Sequence, residues 1–180
     1  TDQGVNIGPI AFAYSGELGD MDGDGDLDVV VANLSSASVH VVANDGAGNF
    51  SLSSTLNDTN RSYGVDIADV DGDGDLDLFV AARTMPNNYP QSTSSWIYLN
   101  ESGEWKESAA WSKALRNVGL VSGAVFSNID ADPLPELLLA CDWGTPKVFV
   151  NTGEGFVDHS ERYGLTKFAG FWRGIDVGDF

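Results

Sequence analysis

The sequence predicts an all-β chain built from repeated units of four antiparallel strands. Three observations carry this: an acidic stretch recurring in register, apolar runs of strand length around each copy, and the near absence of helix-period segments. Residues 19–32 read GDMDGDGDLDVVVA and return at 68–81 as ADVDGDGDLDLFVA. A degenerate copy, SNIDADPLPELLLA, occupies 127–140, and Gly178-Asp179-Phe180 opens a fourth. The equivalent residues Asp20, Asp69, Asn128 and Asp179 lie 49, 59 and 51 residues apart, the size of a supersecondary unit.

The strands of each unit follow in order. Ahead of the acidic loop lies a segment with alternating apolar positions, at 12–18, 63–68, 121–126 and 171–177. After it comes a run rich in Val, Leu and Phe, at 27–31, 76–81 and 137–140, short enough to be a strand buried on both faces. A third apolar segment ends in Asn at 39–44, 96–100 and 147–151. Gly-containing turns then lead to a short closing strand at 44–50, 100–105 and 151–156, a hairpin signal. Residues 107–117 lengthen the second unit as a short helical turn or an irregular loop. Four strands per unit at a fixed period describe a β-propeller blade, which needs neighbouring blades to bury its faces. The blades are expected at 10–58, 59–118 and 119–168, with the first strand of a fourth in 169–180. Three blades and a strand do not close a ring of four to eight. The chain, which starts at Thr1 without an initiating Met, is therefore expected to be part of a larger propeller, or else to close or stack with other copies of itself.

Charge narrows the function classes. Nine Lys and Arg against 27 Asp and Glu give a net charge of −18, which excludes a phosphate-backbone binder. A chain that is 42% hydrophobic and 11% aromatic is not a disordered acidic tail. No apolar run approaches the roughly 18–20 residues of a membrane span. Cys141, alone and preceded by Leu137, Leu138, Leu139 and Ala140, reads as a small buried hydrophobe.

The acidic loops read as metal sites. Asp20, Asp22, Asp24, Asp26 and Asp28 take alternate positions across nine residues, and Asp69, Asp71, Asp73, Asp75 and Asp77 repeat them. Carboxylates this close repel one another unless a cation intervenes, and hard oxygens in such number select Ca2+. The intervening glycines permit the positive φ that wraps a backbone around an ion. Positions one, three, five and nine would ligate through side chains, and position seven, Asp26 in the first loop, through its carbonyl. An EF-hand is excluded because its position-twelve Glu is replaced by Val31 and Val80, inside apolar strands. In the third loop Pro133 replaces a glycine, yet Asn128, Asp130, Asp132 and Glu136 keep oxygen side chains and Leu134 takes position seven. Two Ca2+ sites and a weaker third are expected. The competing view is a solvated acidic turn, which recurrence in register disfavours.

The two loops, the approaches ending in Gly19-Asp20 and Gly64-Val65-Asp66-Ile67-Ala68-Asp69, and the strand Leu27-Asp28-Val29-Val30-Val31-Ala32-Asn33 resemble the FG-GAP or VCBS-type repeat. The segment 155–165 with 172–180 is similar to the ASPIC/UnbV subgroup, which includes cartilage acidic protein. The resemblance implies calcium-binding blades of a β-propeller, commonly seven-bladed, as in the integrin α-subunit head and many secreted bacterial proteins. It carries over the metal positions above, and no partner-binding surface.

The expected function is an extracellular, secreted or cell-surface scaffold for adhesion or for protein or glycan recognition, with structural Ca2+. Its expected partners are further blades or copies, and a protein or glycan ligand. Catalysis is not expected in this segment: His40 and His159 are its only histidines, and no Gly-x-Ser-x-Gly is present. The alternatives are a propeller of a polysaccharide lyase-like enzyme, with Arg83, Tyr89 and Arg116 as loose candidates, and a lectin using Trp96, Trp105, Trp111, Trp143 or Trp172 as stacking platforms. The acceptor pattern Asn-x-Ser/Thr occurs at Asn33, Asn49, Asn57, Asn60 and Asn100, a pointer to the secretory route and to N-glycosylation in a eukaryotic source.

Overall fold

The computed structural model describes residues 13–34, 37–57, 62–84, 88–130 and 132–178. Strands β1 (Ala13–Gly19), β2 (Asp28–Asn33), β3 (Ser38–Asn44) and β4 (Phe50–Asn57) form an antiparallel meander in sequence order. Strands β5 (Ser62–Ala68), β6 (Asp77–Ala82), β7 (Trp96–Glu101) and β8 (Glu104–Glu107) form a second. The third sheet joins β9 (Leu120–Ser127), β10 (Glu136–Gly144), β11 (Lys147–Asn151) and β12 (Phe156–Asp158), with β13 (Gly170–Phe171) paired to the far end of β10. The register repeats: Gly19 faces Asp28, Ala68 faces Asp77 and Ser127 faces Glu136, so each acidic loop closes the first hairpin of its sheet. A bulge recurs near the start of β1 and β5, and opposite the start of β9.

The three sheets stack as a fan whose first strands, β1, β5 and β9, are neighbours in that order. The core lies between the sheets. Met21, Val30, Val39 and Val41 meet Val65, Leu78 and Val80 in one layer. In the other, Val70, Phe79 and Ile97 meet Leu137, Leu139 and Phe149, with Trp111 and Leu115 supplied by a 3-10 helix over Trp111–Leu115. Strand β6 is buried along its whole length, which explains why it reads as a continuous apolar run rather than an alternating one. Each fully buried Leu, Val or Phe here contributes about 1.5–3 kcal/mol.

Two elements differ from the sequence reading. Of the strand expected at 171–177, only Gly170–Phe171 pairs, and residues 172–178 have no regular structure. They lie beside β9 instead: the backbone of Gly174 and Ile175 is 3.1–3.3 Å from where a Cβ on Gly123 would sit, and Ser122 Oγ donates to the Trp172 carbonyl. A strand needs a ladder partner, and none pairs with 172–178 among the described residues. The closing strand of the first unit, expected within 44–50, runs instead over Phe50–Asn57; it is an outer strand exposed to water on much of its length, and so has no need of apolar residues. The start of the fourth acidic loop, Asp179 and Phe180, lies outside the described residues, as does Asn60.

Candidate metal centres

Each acidic loop is built by its own carboxylates. Asp20 accepts from the amides of Gly23 (2.8 Å) and Gly25 (3.0 Å), Asp22 from Asp24 N (3.2 Å), and Asp24 from Asp26 N (2.9 Å). The second loop repeats the set: Asp69 accepts from Gly72 (2.8 Å) and Gly74 (3.0 Å), Asp71 from Asp73 N (3.3 Å), and Asp73 from Asp75 N (2.9 Å). These chains curl the backbone with φ of +78° and +94° at Gly23 and Gly25 and +81° and +100° at Gly72 and Gly74, values that carry little strain only for glycine.

The carboxylate at position nine is the buried anchor. Asp28 accepts from Met21 N and from Asn44 N, both at 2.8 Å, and Asp77 from Val70 N and Asn100 N, both at 2.9 Å. One side chain thus ties the loop to its own sheet's third strand. Asn44, Asn100 and Asn151 complete this frame. The Asn100 amide donates to Leu76 O in its own sheet and to Met21 O in the preceding sheet, at 3.2 and 3.0 Å, while Asn151 donates to Val70 O of the sheet before it at 2.8 Å. Their Oδ1 atoms accept from Gly103 and Gly153. The sequence alone marks Asn100 only as a glycan acceptor and assigns Asn44 and Asn151 no role, although the recurrence of Asn at the end of every third strand is the available signal for this frame.

Carboxylate oxygens gather within 4.8 Å of one another in three groups: Asp20, Asp22 and Asp28; Asp69, Asp71 and Asp77; Asp130, Asp132 and Glu136. Asp24 and Asp73 lie outside these closest groups. The position-seven side chains turn away: Asp75 accepts from Ser102 N at 2.8 Å, and the Asp26 carboxylate lies against Gly46. In the third loop Ile129 N donates to Glu136 at 2.9 Å, Asp132 N to Asp130 at 3.2 Å, Leu134 N to Asp132 at 2.8 Å, and the Asn128 amide to the Asp132 carbonyl.

The donor set fits a hard divalent cation. All three groups are carboxylate oxygens, without thiol or imidazole. Burial raises the pKa of Asp22 and Asp71, and the neighbouring carboxylates raise it further; burial takes Asp77 to about 7, with Asp71 and Asp73 adding to the rise. Glu136 is fully buried, and its Oε1 has no hydrogen-bond partner. An orphaned carboxylate oxygen at the heart of the least regular loop is costly unless something positive meets it.

The other candidates fall elsewhere. His40 is buried between Ser38 Oγ and Thr55 Oγ1 at 3.1 and 3.2 Å, and burial lowers its pKa. Burial pushes the Cys141 thiol up to about 11. Trp111 is a core residue, edge-to-face on Phe156, so its role as a sugar platform is corrected; Trp96 and Trp105 are half-buried. Arg83 and Tyr89 sit near one another's partners, Asp142 and Trp143, but Arg116 is exposed apart from them at the end of the 3-10 helix. Among the acceptor asparagines, Asn33 and Asn100 are buried and the Asn49 amide donates to Asp45 at 2.7 Å, so a glycan on Asn33 or Asn100 is incompatible with the folded sheets. Asn57 is exposed at the end of β4.

Residues 20–80 match the family model described as FG-GAP-like repeat, a span that takes in both regular acidic loops and strands β2 to β5 between them. That match points to a non-catalytic repeat domain. No curated protein matches the chain. Among the described residues, no helix is long and apolar enough to cross a membrane.

Proposed function

We propose that the chain is a calcium-stabilised segment of a β-propeller, serving outside the cell as a module for adhesion or recognition, with the three sheets as its blades. The observation that carries this is the recurrence of one carboxylate cage at the same hairpin of all three sheets, each anchored on a buried acid. Ca2+ would be held by the carboxylates of Asp20, Asp22, Asp24 and Asp28 with the Asp26 carbonyl, and by Asp69, Asp71, Asp73 and Asp77 with the Asp75 carbonyl. In the third loop Asn128, Asp130, Asp132, Glu136 and the Leu134 carbonyl would do so. Bound there, it supplies positive charge to clusters that otherwise repel themselves, and it fixes the first hairpin of each blade. Sites of this kind in extracellular modules are matched to millimolar calcium. The faces of the outer sheets are proposed to meet further blades or another copy of the chain, and Asn57, exposed at the end of β4, is an acceptor asparagine that the fold leaves open.

At about 2 mM Ca2+ and extracellular-type affinities, each site stabilises the folded chain by about 1–2 kcal/mol. Differential scanning calorimetry should therefore show a melting temperature about 10 °C higher in calcium than in EGTA. Magnesium at the same concentration should restore little of it. Equal melting in calcium and EGTA would overturn the assignment. Glu136→Gln separates the third site from the other two: it should remove part of the calcium-dependent rise and leave the rest.

A further inference from the structure

The end of the fan opposite the acidic loops carries a different chemistry. Tyr14 and Tyr63 lie there as the second residues of β1 and β5, Arg83 directly follows β6, and Asp142 and Trp143 lie near the end of β10, a strand length of about 20 Å from the carboxylate cages. Two clefts, of about 680 and 420 Å3, lie on either side of a central charged ridge. Tyr89 and Trp143 line the larger, and Tyr14 and Tyr63 line the smaller.

Trp143 is 71% exposed, yet it is held in place three ways. Its backbone is left-handed at φ +56°, its indole N–H donates to Tyr89 Oη at 2.6 Å, and its ring stands edge-to-face on Phe171 at 5.3 Å. A large apolar ring fixed in solvent at the cost of an unfavourable φ is a preorganised stacking surface. Tyr14, 56% exposed and edge-to-face on Tyr63 at 5.3 Å, is a second one across the ridge.

The ridge is Arg83, Asp142 and Arg173. Asp142 is fully buried at its side chain and paired with Arg83, and Arg173 Nε stands 3.8 Å from its other oxygen. Two guanidiniums against one carboxylate leave one positive charge in excess on a chain of net −18. Arg83 Nε is buried without a hydrogen-bond partner, and Arg173, 64% exposed at its side chain, lies over Phe171 at 4.3 Å. A cationic ligand is disfavoured, because arginine already occupies a face of Phe171.

We infer that this groove binds an acidic oligosaccharide: pyranose rings stack on Trp143 and Tyr14, and a ring carboxylate takes hydrogen bonds from Arg173. Aromatic platforms flanking a few convergent polar donors are the usual composition of a small-molecule cleft, and planar guanidinium is the preferred partner of a carboxylate. The acidic loops do not repel such a ligand, since they lie beyond the roughly 8 Å Debye length of physiological salt. The inference rests on reading the chain as a recognition module.

The test uses the whole chain in saturating calcium, titrated calorimetrically with two acidic tetrasaccharides, one of galacturonate and one alternating glucuronate with N-acetylglucosamine, and with neutral tetra-N-acetylglucosamine. At least one acidic probe should bind about tenfold or more tightly than the neutral one, with an affinity that falls as salt rises. Trp143→Ala and Arg173→Gln should each weaken it about tenfold, and only the second should flatten the salt dependence. Melting temperatures of both variants should match the parent, as both side chains are largely exposed. No binding of either acidic probe, or equal binding by Trp143→Ala, would sink the proposal. Because the calcium-dependent melting shift is read on the same samples, a groove that fails while that shift persists overturns the ligand and leaves the calcium reading intact.

Discussion

Asp66 sits on β5 facing the neighbouring first strands, with Oδ1 accepting from Ile67 N at 3.1 Å and Oδ2 from Phe126 N of the next sheet at 2.6 Å. Burial pushes its pKa from 3.8 up to about 6, more than these hydrogen bonds pull it down, and the Glu17 charge adds to the rise. Burial raises Glu17 as well. A carboxyl whose folded pKa exceeds its unfolded one keeps its proton in the folded state while the unfolded chain has lost it, so its contribution to stability falls as pH rises from about 4 to 6. Asp66→Asn keeps an acceptor for Phe126 N and removes the charge. It should raise stability at pH 7 by at most about 3 kcal/mol and flatten the decline between pH 4 and 6, read as urea midpoints of the calcium-free protein. Parallel pH profiles for the two proteins would refute it. At this scale the alternate-position pattern made the metal candidates legible. What it could not show was which lone pairs the backbone already uses: Asp28 and Asp77 read as ligands, and both oxygens of each also hold a loop amide and a third-strand amide.

At the scale of elements, the third-strand asparagines join one sheet to the next. Asn100 is buried and bridges to Met21 O, so Asn100→Ala leaves two carbonyls and an amide without partners, at a cost of about 2–4 kcal/mol. Asn44 occupies the same place in the first sheet but bonds only within it, to Leu27 O and Gly46 N, in a more exposed setting. Asn44→Ala should cost less than about 1 kcal/mol. Equal losses in chemical denaturation would show that the bridge between sheets adds nothing. The hairpins themselves were legible, because period-two alternation, Asn-Asp-Gly turns and buried Val runs are local signals. The segment 171–177 carries the same alternation and still contributes only Phe171 to a strand, since pairing is decided by what lies alongside. The 3-10 helix over Trp111–Leu115 was open in the sequence for a like reason: its two largest apolar residues, Trp111 and Leu115, are fixed by the core they enter rather than by a helical period.

Across the whole molecule, the repeat makes unmet contacts visible by equivalence. Ile67 and Leu76 of the second sheet pack on the first, so closely that a side chain on Gly19 would overlap both. Their counterparts in the first sheet, Leu18 and Leu27, are 61% and 58% exposed. On the other flank, Met21 and Val70 are covered at 3% and 0% exposure by the sheets that follow them, and the equivalent Ile129 is 36% exposed. One end of the fan therefore presents the knobs and the other the surface they fit. Two unlike faces that complement each other associate head to tail rather than about a two-fold axis. The chain in calcium should accordingly show a sedimentation coefficient that rises with concentration. Leu27→Asp at one face or Ile129→Asp at the other should each hold it monomeric, with little change in melting, because neither side chain is in the core. Mixing the two variants should restore only dimers, since each retains one intact face. A parent chain that stays monomeric across the same range would mean that Leu18, Leu27 and Ile129 are ordinary exposed hydrophobes, which scattered singly need no partner.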